Sequence, residues 1–237
     1  MTERTENDMK RALHQVMASI VRRIPDDRFD RAFPPRWRAC SARHWTPVEV
    51  AVCAALWFAE SGARRILDVG SGVGKMCIIG ALATDLEFVG VEHRASLVEA
   101  AREAAELFSV GDRASFAHAS VDGFDASGFD AFYFYNPFGE NLHVPSESLD
   151  SSVELGHERY MRDVRHAKEM LRDAPVGTRV VTYHGFGGRV PKGYFLDRAE
   201  RIGTDALRLW VKYHTDTPND GAKPVVDDDD RSDGACA

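Results

Sequence analysis

A glycine-rich loop, L-D-V-G-S-G-V-G-K, stands directly after a strand-like run and before a helix-like segment. It offers Asp68 together with Gly70, Gly72 and Gly74. Glycine lets the backbone turn tightly and lets a ligand approach without a Cβ in the way. The helix N-terminus that follows carries a partial positive charge and favours carboxylate or phosphate groups. The loop therefore predicts a site for a nucleotide-type ligand.

Two common nucleotide-binding motifs fit this loop poorly. A Walker phosphate loop needs G-x-x-x-x-G-K-[ST], whereas here Val69 stands where the first glycine belongs and Met76 follows Lys75. A dinucleotide fingerprint needs G-x-G-x-x-G, but the residue three after Gly72 is Lys75. These departures disfavour ATP or GTP hydrolysis, and they leave an NAD-dependent oxidoreductase as a minor alternative.

A second set of reactive groups stands at Asn136-Pro137-Phe138, where the aromatic run F-D-A-F-Y-F-Y-N ends. The Asn136 carbonyl and the neighbouring backbone could accept the hydrogens of a substrate nitrogen, while Phe138 could stack against it. Catalysis of this kind would come mostly from alignment. The alternative is that the proline simply ends a buried strand, because it cannot donate a hydrogen bond to the sheet.

Strand-like and helix-like runs alternate from Arg64 onward, which predicts a parallel sheet with helices on both faces. The strands are predicted at RRILDV, LEFVGVEH, RASFAHAS, FDAFYFYN and TRVVTYH, with helices at VGKMCIIGALA, ASLVEAAREAAELF and HERYMRDVRHAKEML. Two further strand-like runs, YFLDRAERIG and ALRLWVKYH, have no helix between them. They predict an antiparallel hairpin at the edge of a seven-stranded sheet.

The N-terminal part of the chain is predicted to be helical at both of its ends. Residues 6–24 follow an i, i+4, i+7 pattern that predicts an amphipathic helix packed on something through Met9, Leu13, Val16, Met17, Ile20 and Ile24. The run DRFDRAFPPRWRACSARHW is predicted to be irregular. A buried helix is predicted from Thr46-Pro47-Val48-Glu49, with Thr46 as N-cap and Glu49 completing a capping box.

Composition and charge narrow the class of protein. The net charge is −7, of which residues 216–237 carry −5, from seven Asp against Lys223 and Arg231. This end of the chain is predicted to be a disordered acidic tail. The nearly neutral body gives no support for nucleic acid as a tightly bound partner. The four cysteines lack metal-ligand spacing and there is no apolar run of membrane-spanning length, so we expect a cytoplasmic protein without zinc.

The glycine loop resembles the first motif of the class I S-adenosylmethionine-dependent methyltransferases, and Glu92 at the end of VGVEH resembles the second. The resemblance implies a Rossmann-like sheet in which Gly70, Ser71, Gly72 and Gly74 wrap the methionine part of S-adenosylmethionine. It implies that Asp68 lies near the cofactor ammonium and that Glu92 accepts both ribose hydroxyls, as a carboxylate at a strand tip can. The alternative for both acids is that they only cap loops or helices.

Two further parts of this resemblance are less complete. The family places an acid just after the third strand to receive the adenine amino group, whereas this chain has Ser120 at that place and Asp122 two residues later. Either residue could bind adenine. Members that methylate nitrogen carry Asn or Asp, two prolines and an aromatic after the fourth strand, and Asn136-Pro137-Phe138 is a shortened form with one proline.

Residues 44–140 are also similar to the non-SET histone lysine methyltransferases, and the chain looks like a prokaryotic relative of them. The likeness rests on ILDVGSGVGK, on Glu92 and on the Asn-containing, Phe-rich fourth strand. It also rests on the Thr-Pro-initiated helix, so the segment His44-Trp45-Thr46-Pro47 could cover the cofactor as a lid or could merely begin the helix. The paired asparagines and the basic DNA-binding extension of that family are absent.

Two features beside the predicted site are candidates for acceptor recognition. His184 ends the run TRVVTYH, and it could face the target nitrogen or be structural. The long polar loop at 139–156 directly follows Phe138, and long loops beside a site often select the substrate. A plain surface excursion is the alternative for this loop.

The sequence as a whole predicts an α/β, Rossmann-like methyltransferase domain at 62–215, a helical cap or lid at 1–61 and the acidic tail at 216–237. The predicted reaction is methyl transfer from S-adenosylmethionine to an acceptor nitrogen, with a protein lysine as one acceptor. Lysine would have to arrive neutral, because an ammonium has no lone pair. A small-molecule N- or O-methyltransferase and a non-catalytic cofactor-binding domain are the alternatives.

Overall fold

The structure, a computed structural model, describes residues 3–142 and 149–215. The predicted acidic tail lies outside the described residues, and so does the middle of the loop at 139–156. Within the described residues, no helix combines the length and the apolarity that a membrane crossing needs.

A seven-stranded sheet forms the centre of the molecule, with strands in the order β3-β2-β1-β4-β5-β7-β6. Strands β1 to β5 are parallel, and β7 runs antiparallel between β5 and β6. The predicted sheet and its C-terminal hairpin are thus confirmed. The strands are β1 Arg65–Val69, β2 Glu87–Glu92, β3 Ala114–His118, β4 Ala131–Tyr135, β5 Arg179–Tyr183, β6 Tyr194–Ile202 and β7 Asp205–Lys212.

Helices cover both faces of this sheet. One face packs against α5, α6 and α7 together with the N-terminal segment, and the other packs mainly against α8. The sheet-flanking helices are α5 Val48–Glu60, α6 Lys75–Ala83, α7 Ala95–Leu107 and α8 His157–Asp173, and the N-terminal ones are α1 Glu3–Arg22, α2 Asp26–Phe29, α3 Pro35–Arg38 and α4 Ser41–His44. Short 3₁₀ turns lie at Asp30–Ala32, Val121–Gly123 and Gly139–Leu142.

The segment between α1 and α5 is a series of short helices, so the prediction that it is irregular was wrong. Its prolines begin helical turns: Pro25 is the N-cap of α2, and Pro34 is the N-cap of α3 with Pro35 as its first residue. Proline is tolerated there because the first helical N–H groups have no partner within the helix. Three buried aromatic side chains, Phe29, Phe33 and Trp37, fix these turns in the same core as α5 and α6.

The start of α5 also differs from the prediction. Pro47 is the N-cap residue and donates no side-chain cap bond, so the predicted capping box at Thr46 does not form. The backbone N–H of Val48 donates instead to Asp26 Oδ1 at 2.9 Å. An aspartate from α2 thus caps α5 from outside, which frees the Thr46 hydroxyl to face the interior.

Candidate functional site

Two cavities open at the carboxyl ends of the central strands, and Gly70 lines both of them. The β3-side cavity is lined by Val69, Gly70, Val91, His93, Ala119, Ser120, Val121, Pro137, Phe138, Asn141, Arg159 and Asp163. The cap-side cavity is lined by His44, Trp45, Thr46, Asp68, Gly70, Ser71, Val73, Lys75, Met76 and Tyr135.

The position of these cavities follows from the topology of the sheet. The chain leaves β1 towards β2 and β3 on one side, and it returns to β4 and β5 on the other. Parallel strands on either side of such a reversal send their loops apart, which leaves a crevice at their carboxyl ends. The glycine loop follows β1 and Asn136-Pro137-Phe138 follows β4, so both segments stand at this edge of the sheet.

The three glycines of the loop have three different structural roles. Gly70 has a φ of +73°, and a Cβ there would lie 2.6 Å from the Cβ of Pro137. Gly74 is the N-cap of α6 with a φ of +75°, and a Cβ there would overlap the Phe116 ring. Gly72 has a φ of +54°, but no atom lies within 4 Å of the position its Cβ would take. The loop is therefore packed at its two ends and open in the middle.

Asp68 is buried at the end of β1 and lines the cap-side cavity. Its Oδ2 accepts a weak hydrogen bond from Cys77 Sγ at 3.5 Å. Burial is the main cause that raises the pKa of Asp68 to about 7; the Cys77 contact opposes the rise, and the nearby Glu92 carboxylate adds to it. A cationic group in the cavity would stabilise the ionised form, so the site suits a ligand with a positive charge at this end.

The raised pKa of Asp68 predicts a pH-dependent cost to stability. The unfolded chain gives up this proton near pH 3.8, whereas the folded chain keeps it to about 7. The folded state therefore holds more protons in between, and its free energy of unfolding decreases as pH rises. We expect the stability of the wild type relative to Asp68→Asn to fall by ~2–4 kcal/mol between about pH 4 and pH 8, measured by urea denaturation.

The comparison with Asp68→Asn isolates this effect from that of His93. Burial and the adjacent Arg94 lower the pKa of His93 to about 4. This shift acts in the opposite direction, because its contribution to stability is lost as pH falls. Both proteins contain His93, so its contribution cancels when the free energy of unfolding of one is subtracted from that of the other. A difference that does not change with pH would contradict the assigned state of Asp68.

Glu92 lies at the end of β2, beside the open part of the glycine loop. Its Oε2 accepts the Gly72 N–H at 3.1 Å and its Oε1 accepts the Arg94 N–H at 2.8 Å. Burial raises the pKa of this carboxyl, and the two backbone donors oppose the rise. Each oxygen accepts one backbone N–H and retains a lone pair. A vicinal diol could therefore bind to the two oxygens together.

The two residues that the sequence offers for binding adenine, Ser120 and Asp122, have different positions in the structure. Ser120 lines the β3-side cavity. Asp122 is exposed, with its Oδ2 at 4.0 Å from Arg162 Nε, and it does not line the cavity. Two buried groups that the sequence did not indicate do line it, namely Asn141 and Asp163. The Oδ1 atoms of both lack a hydrogen-bond partner among the described residues.

The segment Asn136-Pro137-Phe138 follows β4, and two of its three residues line a cavity. Pro137 and Phe138 line the β3-side cavity, and Phe138 is buried in the core beneath it. Asn136 is exposed, and its amide packs against Gly139. Its φ of +39° is rare for a residue other than glycine, and its N–H donates to the Gly185 carbonyl at 2.8 Å.

His184, at the end of β5, pairs with an aspartate. Its Nδ1 lies 3.1 Å from Asp205 Oδ2, and the same oxygen accepts the His184 backbone N–H at 3.1 Å. If Nδ1 carries the proton, Nε2 is a free base, which lies 3.4 Å from Thr204 Oγ1. The His184 ring contacts Tyr135 edge-on, with centroids 5.5 Å apart. Because Tyr135 lines the cap-side cavity, this dyad lies one aromatic ring away from it.

The cap-side cavity is closed by residues of the N-terminal segment. His44, Trp45 and Thr46 line it, and the Thr46 hydroxyl lies 3.2 Å from the Tyr133 hydroxyl. Both hydroxyls are buried, and burial raises the pKa of Tyr133 well above its usual value, so this phenol stays protonated. The hydrogen bond ties the segment directly to β4.

Lys75 is a site residue that sequence reasoning examined only as part of a Walker motif. It is the first residue of α6, it is buried, and its Nζ lies 2.5 Å from Asp26 Oδ1 and 2.6 Å from Asp30 Oδ1. Asp30 is itself buried and also accepts the Ser41 hydroxyl. One ammonium thus joins the helix after the glycine loop to the cap. The acids come from a segment 45 or more residues away, so no local pattern pointed to them.

Arg94 organises the segment that follows Phe138. Its side chain is 1% exposed. Nη1 and Nη2 donate to the two Glu140 oxygens at 2.8 and 3.0 Å, and Nε donates to Asp150 Oδ1 at 3.0 Å. Glu140 and Asp150 stand on either side of residues 143–148. One guanidinium therefore holds two points of the predicted specificity loop at 139–156: Glu140 near its start and Asp150 further along it.

No family model matches this chain, and no curated protein matches it. Solved structures do match it. An RNA methyltransferase from Salinibacter ruber, in complex with S-adenosyl-L-homocysteine, is 22% identical with a TM-score of 0.53, over 73% of this chain and 97% of that chain. A proposed O-methyltransferase from Klebsiella pneumoniae is 19% identical with a TM-score of 0.54, over 87% of this chain and 100% of that chain.

At these levels of identity the likeness shows the fold. The chain shares with these two proteins a Rossmann-like fold, a mostly parallel seven-stranded sheet with helices on both faces, in agreement with the predicted fold class. The two proteins act on different kinds of acceptor by name, so the fold leaves the acceptor of this chain open.

Proposed function

We propose that this protein binds S-adenosylmethionine and transfers its methyl group to an acceptor. The observation that carries the proposal is the pair of buried carboxylates, Asp68 and Glu92, at the ends of neighbouring strands on either side of an open glycine loop. A cofactor with an ammonium at one end and a ribose diol in the middle has one partner for each acid. The fold supports the same cofactor.

The two cavities then divide the cofactor between them. The methionine end lies in the cap-side cavity, with its ammonium near Asp68 and with Ser71 and Thr46 as nearby hydroxyls. The ribose lies over Gly72 and binds Glu92. The adenine lies in the β3-side cavity, where the neutral ring of His93 and the side chains of Val121 and Phe138 offer flat or apolar walls.

Asp163 is the residue that we propose to bind the adenine amino group, in place of Asp122. It is buried in the wall of the β3-side cavity, and its Oδ1 has no hydrogen-bond partner among the described residues. Buried polar atoms are normally paired, so this oxygen is suited to a donor from the ligand. Asn141 and Ser120 line the same cavity and complete a polar edge.

Exchanging Asp163 for asparagine is expected to abolish discrimination at the adenine C6 position. The wild type should bind S-adenosylhomocysteine at least ~10-fold more tightly than S-inosylhomocysteine, because the inosine carbonyl would face a carboxylate. Asp163→Asn should bind both alike, as measured by calorimetric titration. Asp122→Asn is the matched control and should keep the wild-type preference. If Asp122→Asn alone loses it, the adenine site is at Asp122.

The acceptor that we propose to test first is a nitrogen, with a protein lysine amine as the leading example. Asn136 stands in the chain between Tyr135, which lines the cap-side cavity, and Pro137, which lines the β3-side cavity. It supports a nitrogen acceptor, because an amide carbonyl can hold the acceptor hydrogens. The likeness of residues 44–140 to prokaryotic relatives of the non-SET histone lysine methyltransferases supports lysine. The bound cofactor would supply an electrophilic methyl on a sulfonium, while the protein aligns the acceptor and excludes water.

His184 and Asp205 favour an acceptor that must lose a proton before it reacts. A lysine ammonium and a hydroxyl both meet this condition, and His184 Nε2 would take the proton while Asp205 stabilises the imidazolium. A small-molecule O-methyltransferase is therefore the second candidate. RNA also belongs in a screen of acceptors, and a domain that binds the cofactor without catalysis is the remaining alternative.

The proposal is tested by calorimetric titration of the purified protein with S-adenosylmethionine, S-adenosylhomocysteine and NADH. Micromolar binding of the first two without binding of NADH is the expected result. It would justify a screen with radiolabelled methyl groups against host proteins, RNA and small hydroxylated aromatics. Failure of both sulfur compounds to bind would overturn the proposal, and binding of NADH would restore the oxidoreductase alternative.

A further inference from the structure

Two buried oxygens in the wall of the β3-side cavity have no hydrogen-bond partner among the described residues, and the proposed function uses only one of them. They are Asn141 Oδ1 and Asp163 Oδ1. Asn141 is 7% exposed and Asp163 is 4% exposed. A buried acceptor without a donor costs free energy, so such atoms are normally paired in a folded protein. Two of them in one cavity indicate a ligand group that brings two donors.

The hydrogen bonds around Asn141 fix the orientation of its amide. Its backbone N–H donates to the Phe138 carbonyl at 3.1 Å, and its Nδ2 donates to the same oxygen at 3.2 Å. Because the amide NH₂ group is directed at this carbonyl, Oδ1 is directed away from it. The preceding residue, Glu140, accepts hydrogen bonds from both Nη atoms of Arg94. The acceptor oxygen of Asn141 is therefore held in position by the protein itself.

Asp163 comes from a different element, α8, which packs against the 3₁₀ turn that carries Asn141. Its second oxygen, Oδ2, lies 3.4 Å from Arg159 Nε on the same helix. The guanidinium thus occupies one oxygen of the carboxylate and leaves Oδ1 without a donor. The cavity is therefore bordered by one acceptor from the turn after β4 and by another from α8.

We propose that Asn141 is a specificity-determining residue for the cofactor, whose Oδ1 accepts one hydrogen of the adenine amino group while Asp163 Oδ1 accepts the other. The inference rests on the proposed function and assigns a ligand class to its β3-side cavity, namely nucleosides with an unsubstituted 6-amino group. This group has two hydrogens, one on each side of its bond to the ring, and each can be donated. Two acceptors bind it completely, whereas one acceptor would leave one hydrogen unused.

Two acceptors make the site sensitive to alkylation of the amino group. A methyl group on N6 replaces one hydrogen, and it can lie on either side of the bond between N6 and the ring. If Asp163 alone binds the amino group, the methyl can turn towards the side that has no acceptor. If Asn141 binds as well, either position of the methyl leaves one buried oxygen unpaired. Inosine, with a carbonyl at this position, tests mainly the charged acceptor Asp163, whereas N6-methylation tests the second acceptor.

The test is calorimetric titration of the full-length protein with S-adenosylhomocysteine and with N6-methyl-S-adenosylhomocysteine. The wild type should bind the unmodified compound at least ~10-fold more tightly than the methylated one. Asn141→Ala should bind the two compounds alike, because it removes the second acceptor and makes room for the methyl group. It should bind the unmodified compound at least ~5-fold more weakly than the wild type does. A purely structural effect of the substitution would weaken both compounds by the same factor and would preserve the preference.

Leu142→Ala is the matched control, because Leu142 is the next residue of the same turn and is 53% exposed. It should keep the wild-type preference. A wild type that binds both compounds equally would overturn this inference while leaving the proposed function intact, and that result does not depend on whether Asn141→Ala folds. An Asn141→Ala protein that retains the full preference would overturn it as well. A wild type that binds neither compound would overturn the proposed function, and this inference with it.

Discussion

Glu92→Gln is expected to weaken the binding of S-adenosylhomocysteine by about 100-fold or more in calorimetric titration. In the proposed complex, the carboxylate accepts two ribose hydroxyls, and a hydrogen bond to a charged group contributes ~1.5–3 kcal/mol. The glutamine side chain has one acceptor oxygen, and its NH₂ group would face the backbone N–H of either Gly72 or Arg94. The loss of affinity therefore has two sources. The amide oxygen is a weaker acceptor than a carboxylate oxygen, and the amide NH₂ group would face another hydrogen-bond donor.

Glu87→Gln is the matched control for this experiment. It makes the same chemical change at the other end of the same strand, where Glu87 forms a half-exposed ion pair with Arg65 at 2.9 Å. This control should bind the ligand as the wild type does, because exposed pairs contribute little to stability. Equal affinity of Glu92→Gln and the wild type would exclude Glu92 as the ribose partner.

Lys75→Met is expected to lower the free energy of unfolding by ~3–5 kcal/mol, measured by urea denaturation. Methionine fills a similar volume, but it leaves Asp30 buried without its cation, and breaking a buried ion pair on one side has a cost of this size. Asp26 is half exposed and should be affected less, since water can solvate it. Ligand binding should weaken as well, because Lys75 lines the cap-side cavity.

Two further variants separate the charge effect from a packing effect. Lys75→Met/Asp30→Asn should recover at least half of the lost stability, since neither residue is then charged. Arg22→Met removes an exposed pair with Glu49 and should cost less than ~1 kcal/mol. If the double variant is no more stable than Lys75→Met, the loss comes from packing and not from the unpaired aspartate.

Sequence patterns within one short stretch of chain predicted the features of the site that depend only on neighbouring residues. The alternation of strands and helices fixed the sheet, and the glycine spacing with Asp68 and Glu92 marked the strand ends that border the crevice. These signals are readable because turn conformation and strand termination depend on neighbouring residues. The order of the strands then brings the loops together without any further specification.

Contacts between distant segments could not be read in this way. Thr46 matches the capping pattern, yet Asp26 caps α5 because the cap folds back onto that helix. Asp163 lies in the middle of an amphipathic helix, where a polar residue ordinarily faces solvent. The periodicity of α1 predicted one packed apolar face that included Met9, Leu13, Val16 and Ile20, but these four side chains are exposed and α1 packs through Ala18 and Val21 instead. Periodicity identifies an amphipathic helix without specifying which residues the rest of the chain covers.

The contacts of Arg94 with Glu140 and Asp150 fix two points of the loop that follows Phe138. The residues between these two anchors can vary in sequence and number while both points of attachment stay fixed, because lengthening a closed loop costs little. Arg94 stands two residues after Glu92, so the attachment lies beside the proposed ribose site. A change in the chain between the two anchors is therefore expected to leave the Arg94 ion pairs in place, and a graft of this segment from another protein of the same fold would test the prediction that the loop at 139–156 selects the acceptor.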